Sequence, residues 1–532
     1  MLIKALTNKK NIETAFTSAI EERLNSEHVC FPSEVTYAKA NKEEIIASIE
    51  RIFLNPENFE PELGFYYTMP KSDLVSRQLV YLPITELVIH YCYAQVLAER
   101  LDAQLQGTCF ANRFERDRNS ERLSENFATS SWPAYCEWQK RSASNNLMMV
   151  KTDISSFFDN VDCSLLVEKV ASRLSTSVSN PFFVIFKKLI MAPAHLYSSH
   201  CQYQRNKGLV TGPLSMGVLA NYYLMDIDDA ISNLEGIEYG RYVDDIKIFS
   251  NDKKQLKKAF SKLQDLLHLL GLNVNTTKTA LLSKHEQVIE LVKQEITVAS
   301  NYSGEEEVRL TKLVDKIKGE ELELDERFEL RDNTFDRDAP LENANDAKRY
   351  CFALNDIDAD EWSVDDVATL SQILQRYPQS SRHACWLMIC ALFSDDTEVQ
   401  NTAERFITDS MWNNENIHDY AKARIIHHLV KYRYNGDSYL ERNKHAFLES
   451  KFFNSIIEII CKNGANDITL LRCYAFEAFF QMKPNVSKAH FCNILKAQNV
   501  RLNGTEEQIM SFALRPQLKN QDIFEVLGIS SD

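Results

Sequence analysis

Two adjacent acids, Asp244 and Asp245, interrupt the strand-like run from Gly240 to Ser250. β-Branched and aromatic residues on either side favour paired strands, and the two acids are short enough to form the turn between them. A hairpin tip presenting carboxylates suits divalent cations. Asp oxygens are hard ligands, and Mg²⁺ accepts one or two carboxylates together with substrate phosphates. The same two residues would also serve as a plain surface turn. A further acid, Asp153, ends the apolar run Leu147 to Val150, where the chain turns toward a helix begun by Ser164, Leu165 and Leu166. If both strands are neighbours in one sheet, the three carboxylates meet, with Phe157 and Phe158 beside them. Lys278 stands 34 residues beyond Asp244, in the strand and turn from Gly271 to Thr279. A lysine there could protonate leaving pyrophosphate, or could do nothing chemical.

Other candidates depend on position. Lys71 and Arg77 precede the helix expected from Ile84 to about Leu101 and could clamp a triphosphate, Arg with its planar fork and Lys as a point charge. Gly208 and Gly212 lie in a turn that runs through Pro213 into a long helix. Such a turn allows close backbone approach to a planar or phosphorylated ligand, and a helix N-terminus offers free N–H groups to anions.

The elements that must hold these residues are legible from periodicity. Helices are expected over 11–30 and 41–54, joined by a short exposed connector, Phe31 to Lys39, that contains Pro32 and Tyr37. After the acidic hairpin, Leu256, Phe260, Leu263, Leu267 and Leu270 recur at helical spacing, and Gly271 is the expected C-cap. The lysines of that helix make a solvated face. Residues 305 to 342 hold 14 acids and 7 bases, read as a helix to about Phe328 and then a polar linker. From Tyr350 onward come short amphipathic helices near 382–393, 399–411, 417–433, 438–448, 451–462, 467–482 and 487–498, with a capping start at Ser363. Their spacing suggests a HEAT-like array. His383, Cys385, Cys390, His427 and His428 read as packing residues, since no second pair stands at ligand spacing.

At 532 residues and 44% hydrophobic content, several sizeable cores are available. Apolar runs are too short to span a bilayer and the first ten residues lack a signal-peptide pattern, which points to the cytoplasm. Twelve cysteines without a Cys-x-x-Cys pair suit small core residues in a reducing compartment. Residues 1–284 carry 32 basic and 33 acidic side chains, so nearly all of the net charge of −15 lies in the C-terminal half. The bulk charge therefore lacks the footprint of a protein that grips a long duplex.

In this order the pieces resemble the palm and fingers of reverse transcriptases, specifically the bacterial retron and group II intron type, over roughly residues 65–285. Asp153 with Phe157-Phe158-Asp159 looks like the first palm motif, Gly208 to Ser215 like the second, and Tyr242-Val-Asp-Asp like the Tyr/Phe-x-Asp-Asp signature. Gly271 to Thr279 is similar to the motif with the characteristic lysine, and Pro70-Lys71 through Arg77 to the finger segment that holds the triphosphate. The resemblance implies two Mg²⁺ ions bound by Asp153 and Asp244, with Asp245 as a close accessory. It further implies Lys71 and Arg77 on the triphosphate, Lys278 as general acid, and Phe158 beneath the sugar, excluding a ribose 2′-OH. The chain departs from the family at Val210-Thr211, where Pro-Gln usually precedes the glycine. Beyond Ser283 no primer grip, thumb, maturase segment or HNH nuclease is recognisable.

A near-neutral palm fused to an acidic helical domain resembles the abortive-infection (AbiK-type) phage-defence polymerases. That resemblance implies an α+β fold of antiparallel sheet with helices, followed by an all-α HEAT-like domain. The implied division is 1–64 as a helical extension, 65–285 as fingers and palm, 286–345 as acidic helix and linker, and 346–532 as the helical domain. It also implies protein-primed, template-independent polymerisation of dNTPs, a DNA product covalently attached to the protein, a homo-oligomer, no membrane, and a phage or host protein as trigger. Tyr37 is the candidate primer. A templated retron-like enzyme, a non-catalytic helical scaffold with a vestigial palm, and a cyclase on a related palm are the competing readings.

Overall fold

The computed structural model describes residues 2–25, 29–62, 64–72, 74–105, 107–114, 131–198, 207–303, 344–355, 359–412, 414–430, 447–461, 469–483 and 486–514. Their contacts divide the chain into two compact units that alternate along the sequence. Met1–Ser26, Lys42–Gly64 and Leu82–Arg309 form one, and Glu27–Asn41, Phe65–Tyr81 and Leu310–Asp532 the other. The block expected over 65–285 is therefore divided at Tyr81.

In chain order the helices of the first unit are α1 (Leu2–Leu6), α2 (Lys9–Asn25), α4 (Lys42–Leu54), α5 (Ile84–Leu101), α6 (Trp132–Asn145), α7 (Phe157–Asn160), α8 (Cys163–Arg173), α9 (Pro181–Ser198), α10 (Leu214–Ser232), α11 (Lys253–Leu269) and α12 (His285–Ser303); α3 (Pro32–Ala40) belongs to the second unit. α5 and α10 are buried on nearly all sides, as their almost continuous apolar runs require. The sheet consists of β3 (Met148–Asp153), β4 (Glu238–Tyr242), β5 (Asp245–Ser250) and β6 (Ala280–Leu282), antiparallel in the order β4-β5-β3-β6. Period-two alternation puts Met149, Lys151 and Asp153 on the same face as Phe249, Lys247 and Asp245 opposite them. α6 and α12 cover the inner end of that face through Tyr135, Trp138, Val288 and Val292, packed on Met149 and Phe249. α11 packs on β3 and β5 through its buried Leu256, Ala259, Leu263 and Leu267. Its start is capped by Asp252, whose carboxylate accepts from the Lys254 and Gln255 N–H groups. α12 occupies the beginning of the stretch expected to be an acidic helix and linker, and residues 304–343 lie outside the described residues.

The second unit contains α3 (Pro32–Ala40), the antiparallel hairpin of β1 (Phe65–Pro70) and β2 (Ser76–Tyr81), and nine further helices among the described residues. These are α13 (Ala344–Asn355), α14 (Val364–Arg376), α15 (Ser381–Leu392), α16 (Thr397–Arg405), α17 (Asp419–Val430), α18 (Phe453–Cys461), α19 (Thr469–Met482), α20 (Lys488–Ala497) and α21 (Gly504–Ala513). The expected capping start is present, with Ser363 and Asp366 forming a capping box before α14. The helix expected over 438–448 lies mostly outside the described residues. α21 was not expected, although Asn503 and Glu506 form a capping box readable as Asn-x-x-Glu. His427 and His428 are buried among aromatic rings, 5.3 Å from each other.

One expectation is corrected here. Phe31 to Lys39 is not an extended exposed connector but a helix, α3, because Pro32 falls in its first turn, where the missing N–H costs nothing. Phe31 is fully buried against Phe65, Tyr81 and Tyr474. Tyr37 is half-buried, its ring stacked on Phe512 with centroids 4.6 Å apart.

No helix among the described residues is long and apolar enough to cross a membrane. The described cysteines are all free thiols.

Candidate active site

The three acids converge at one end of the four-stranded sheet. Asp153 ends β3 directly opposite Asp245, which opens β5, and the next residue, Ile154, donates its N–H to the Asp244 carbonyl at 3.1 Å. The turn before Asp244 is held tightly. Val243 has φ +58°, a conformation uncommon for a β-branched residue, and its carbonyl accepts from Arg241 Nη1 at 3.3 Å. Arg241 is fully buried and bidentate to Asp228 at 2.8 and 2.7 Å, with Nη1 also on Asn221 Oδ1. Tyr239 completes the Asp228 shell, so this buried ion pair is fully satisfied and fixes the hairpin to α10. Gly240 is required by close packing, since a Cβ there would lie 2.5 Å from the Trp138 ring of α6.

Each carboxylate has a different environment. Asp153 Oδ2 accepts from Lys278 Nζ at 3.1 Å and from Asn275 Nδ2 at 3.4 Å, while Asn275 N–H donates to the Asp153 carbonyl at 2.7 Å. Asp245 Oδ2 accepts from the buried Tyr135 hydroxyl at 3.0 Å and lies 3.7 Å from Lys247 Nζ. Lys247 is buried, bonded to Gln139 and at 2.5 Å to Glu295, whose other oxygen takes Lys151. Burial, then the charges of Asp153 and Asp245, push the Asp244 carboxyl up to about 6.

Among the described residues no three His, Cys, Asp or Glu side chains stand in a ready-made metal cage. The donor set nevertheless fits a divalent cation. Three hard carboxylates gather at one strand end, and the charges of Asp153 and Asp245 add to burial in raising Asp244. Lys278 rests where one carboxylate asks for a counter-ion.

The glycine-rich segment adjoins this end of the sheet. Gly208 (φ +116°) and Gly212 (φ +134°) take backbone conformations that favour glycine. Gly208 N–H donates to the Val161 carbonyl at 2.9 Å and Leu209 N–H to the Phe158 carbonyl at 2.8 Å, which binds the segment to α7. Phe157 is buried and Phe158 half-buried, with ring centroids 5.4 Å apart. The structure thus brings Asp153, Asp244, Asp245, Lys278, Phe158 and Gly212 into one unit. Lys71, in the β1–β2 turn, and Arg77, on β2, are exposed and belong to the second unit, as does Tyr37.

Sequence reasoning missed Tyr135, Asn275, Lys247 and Glu295. Lys247 had a signal, because two residues after Asp245 on a strand it must share that face. Asn275 lies three residues before Lys278. Tyr135 and Glu295 come from distant helices and carry no local mark.

Carboxylates at the ends of adjacent antiparallel strands, paired with a lysine, define a site suited to metal-assisted phosphoryl transfer. Residues 81–301 match the family model described as reverse transcriptase (RNA-dependent DNA polymerase). This segment is a reverse-transcriptase-type polymerase domain. Enzymes of this family generally use divalent metal ions. Among solved structures the chain is similar to telomerase from Candida albicans in complex with a fragment of telomeric RNA, with TM-score 0.32 and 9% identity over 70% of this chain and 64% of that one. It is also similar to apo telomerase from Candida tropicalis, with TM-score 0.32 and 11% identity over 89% of this chain and 74% of that one. This chain therefore spans just under two thirds of the first of these structures. No curated protein sequence matches it.

Proposed function

We propose that this chain is a Mg²⁺-dependent DNA polymerase of reverse transcriptase type that acts in phage defence by abortive infection, extending DNA from its own tyrosine without a template. The observation that carries the polymerase part is the register that sets Asp153 opposite Asp245, with Asp244 in the adjoining turn. In this reading a hydroxyl attacks the α-phosphate of a dNTP in line and loses its proton to solvent as its oxygen bonds to phosphorus, while the phosphoanhydride bond to the β-phosphate breaks and pyrophosphate leaves. Two Mg²⁺ ions, when bound to Asp153 and Asp244, supply the charge that stabilises the attacking and leaving oxygens. Asp245, held by Tyr135, is the accessory acid. Lys278 gives a proton to the departing pyrophosphate, Lys71 and Arg77 neutralise the triphosphate, and Gly212 lets the backbone approach the nucleotide. Phe158, anchored through its carbonyl to Leu209, lies against the sugar and disfavours a 2′-OH.

Two observations support untemplated synthesis. Thr211, a short half-buried side chain, stands where the family presents an amide to the nascent base pair, and the bulk charge does not favour a gripped duplex. In the second unit, α15, α17, α19 and α21 form a row in which each packs on the next. We read this row as a HEAT-like array, a surface for homo-oligomer contacts and for a phage or host protein trigger, in a cytoplasmic protein.

The test is incubation of the full chain with Mg²⁺ and labelled dNTPs alone, resolved on a denaturing gel before and after protease. Label that migrates with protein and is released by digestion is the expected result. Synthesis only after RNA is added would replace this reading with a templated retron-like enzyme, and no synthesis under either condition with a scaffold. Tyr37→Phe tests the priming residue, since loss of protein-linked label with normal folding assigns the attachment to that hydroxyl.

A further inference from the structure

The lysines of α11 read from the sequence as a solvated face, and their arrangement works against the helix that bears them. α11 carries Lys253, Lys254, Lys257, Lys258 and Lys262 against one acid, Asp265. Lys253 and Lys257, Lys254 and Lys258, and Lys258 and Lys262 are like charges one turn apart, which destabilises a helix. Apart from the capping Asp252, no acid stands in the first turn, so one carboxylate faces a crowd of cations at the end where the helix dipole is already positive. Lys262 donates to the Ala230 carbonyl, and the other four are exposed and make no ion pair among the described residues. In a chain of net charge −15 with acids to spare, this run of about 13 Å has been left uncompensated. At the opposite end of α11, Lys207, also exposed, sits close against Gly271 and begins the Gly208–Gly212 segment of the candidate active site.

We propose that this face of α11 binds the phosphate backbone of a single-stranded polynucleotide, the product of the polymerase. Resting on the polymerase reading, the proposal adds a nucleic-acid track outside the carboxylate cluster. The fully exposed side chains between the lysines are polar, Gln255 and Ser261, while Leu256 and Ala259 point inward and Phe260 is half-buried. A protein partner would bury an apolar core beside its charges, and base reading would need planar or hydrogen-bonding groups aimed at base edges. A uniformly cationic polar face fits backbone phosphates alone, so binding is sequence-independent and steeply salt-dependent.

The experiment is fluorescence anisotropy of a labelled thirty-residue oligo(dT), titrated with the full chain at several NaCl concentrations. The combined variant Lys253→Gln, Lys254→Gln, Lys257→Gln, Lys258→Gln should bind at least about tenfold more weakly at low salt. Its slope of log affinity against log salt should be shallower by roughly 3, about 0.7 for each lost contact. Its thermal midpoint should be unchanged or higher, because repulsion along the helix is removed. Asp244→Asn should keep wild-type binding while losing synthesis. If synthesis is absent yet binding still follows the lysines, the track stands and only the polymerase reading falls. Equal affinity and slope for wild type and the lysine variant, no binding by the wild type, or displacement by poly-glutamate at charge concentrations equal to those of the oligonucleotide would overturn the inference.

Discussion

The Lys278 ammonium lies 3.1 Å from Asp153 Oδ2, on the acid that would hold a catalytic cation. The lysine is about half exposed, at 54%, whereas Asp153 is 13% exposed, so the flexible partner can withdraw and the acid cannot. Lys278→Ala should therefore have opposite effects on binding and chemistry. Mn²⁺ affinity, measured by electron paramagnetic resonance, should rise because a competing cation is gone. Nucleotide incorporation should fall by roughly 10²–10⁴, the usual worth of a general acid. A rise in both quantities would assign Lys278 to structure alone.

Asp244 sets the pH response. Its folded carboxyl is raised from 3.8 to about 6, so the folded metal-free protein holds this proton more tightly than the unfolded chain does. Stability should accordingly fall as pH rises from about 4 through about 6. Divalent-cation affinity should move the other way, weakening below about pH 6, where the proton competes for the oxygens. Asp244→Asn should abolish synthesis yet stabilise the metal-free protein at pH 7 by roughly 1–2 kcal/mol, discounted for partial exposure, with the difference vanishing near pH 4. Denaturant titrations at the two pH values check the sign.

Glu295 joins Lys247 and Lys151 beneath Asp245. Glu295→Gln leaves a buried lysine 3.7 Å from Asp245 without its main partner. It should cost about 3 kcal/mol and raise the Mg²⁺ concentration needed for half-maximal synthesis. Adding Lys247→Met should recover part of the stability, giving a coupling energy of about 1 kcal/mol or more. Strictly additive losses would show that the two side chains act separately.

The contact of Gly240 with Trp138 predicts a steric penalty. Gly240→Ala should destabilise by about 1–3 kcal/mol, because the added methyl meets a rigid indole on the helix that also carries Tyr135. Trp138→Leu in the same chain should relieve it in part. A neutral single substitution would mean that α6 shifts freely on the sheet.

Local signals read the polymerase half well. The two acids in a strand-like run marked the β4–β5 hairpin, the apolar run before Asp153 marked β3, and the glycines at 208 and 212 marked the segment bound to Phe158. Each depends on residues within a few positions of one another. Pro32 misled because it reads as a breaker, yet it sits in the first turn of α3, the one place in a helix that tolerates it. Tyr135 and Glu295 could not be found, since nothing near either residue marks its approach to the site. The same limit hid the grouping of β1 and β2 with the C-terminal helices. Phe65, Tyr67, Leu79 and Tyr81 look like ordinary strand residues, and only long-range burial with Val367, Leu370 and Tyr474 assigns them there.

The alternation of the two units along the chain has a consequence for how the molecule is made. Residues 29–41 and 65–81 leave the ribosome long before the helices that enclose Phe31, Phe65 and Tyr81 have been translated. A fragment that stops after Ser303 would strand those aromatic rings in water, and one that starts at Ala344 would lack part of its own interior. Neither unit can be obtained by a single cut, so a nonsense mutation late in the reading frame would leave the aromatic rings of the two early segments without the helices that cover them.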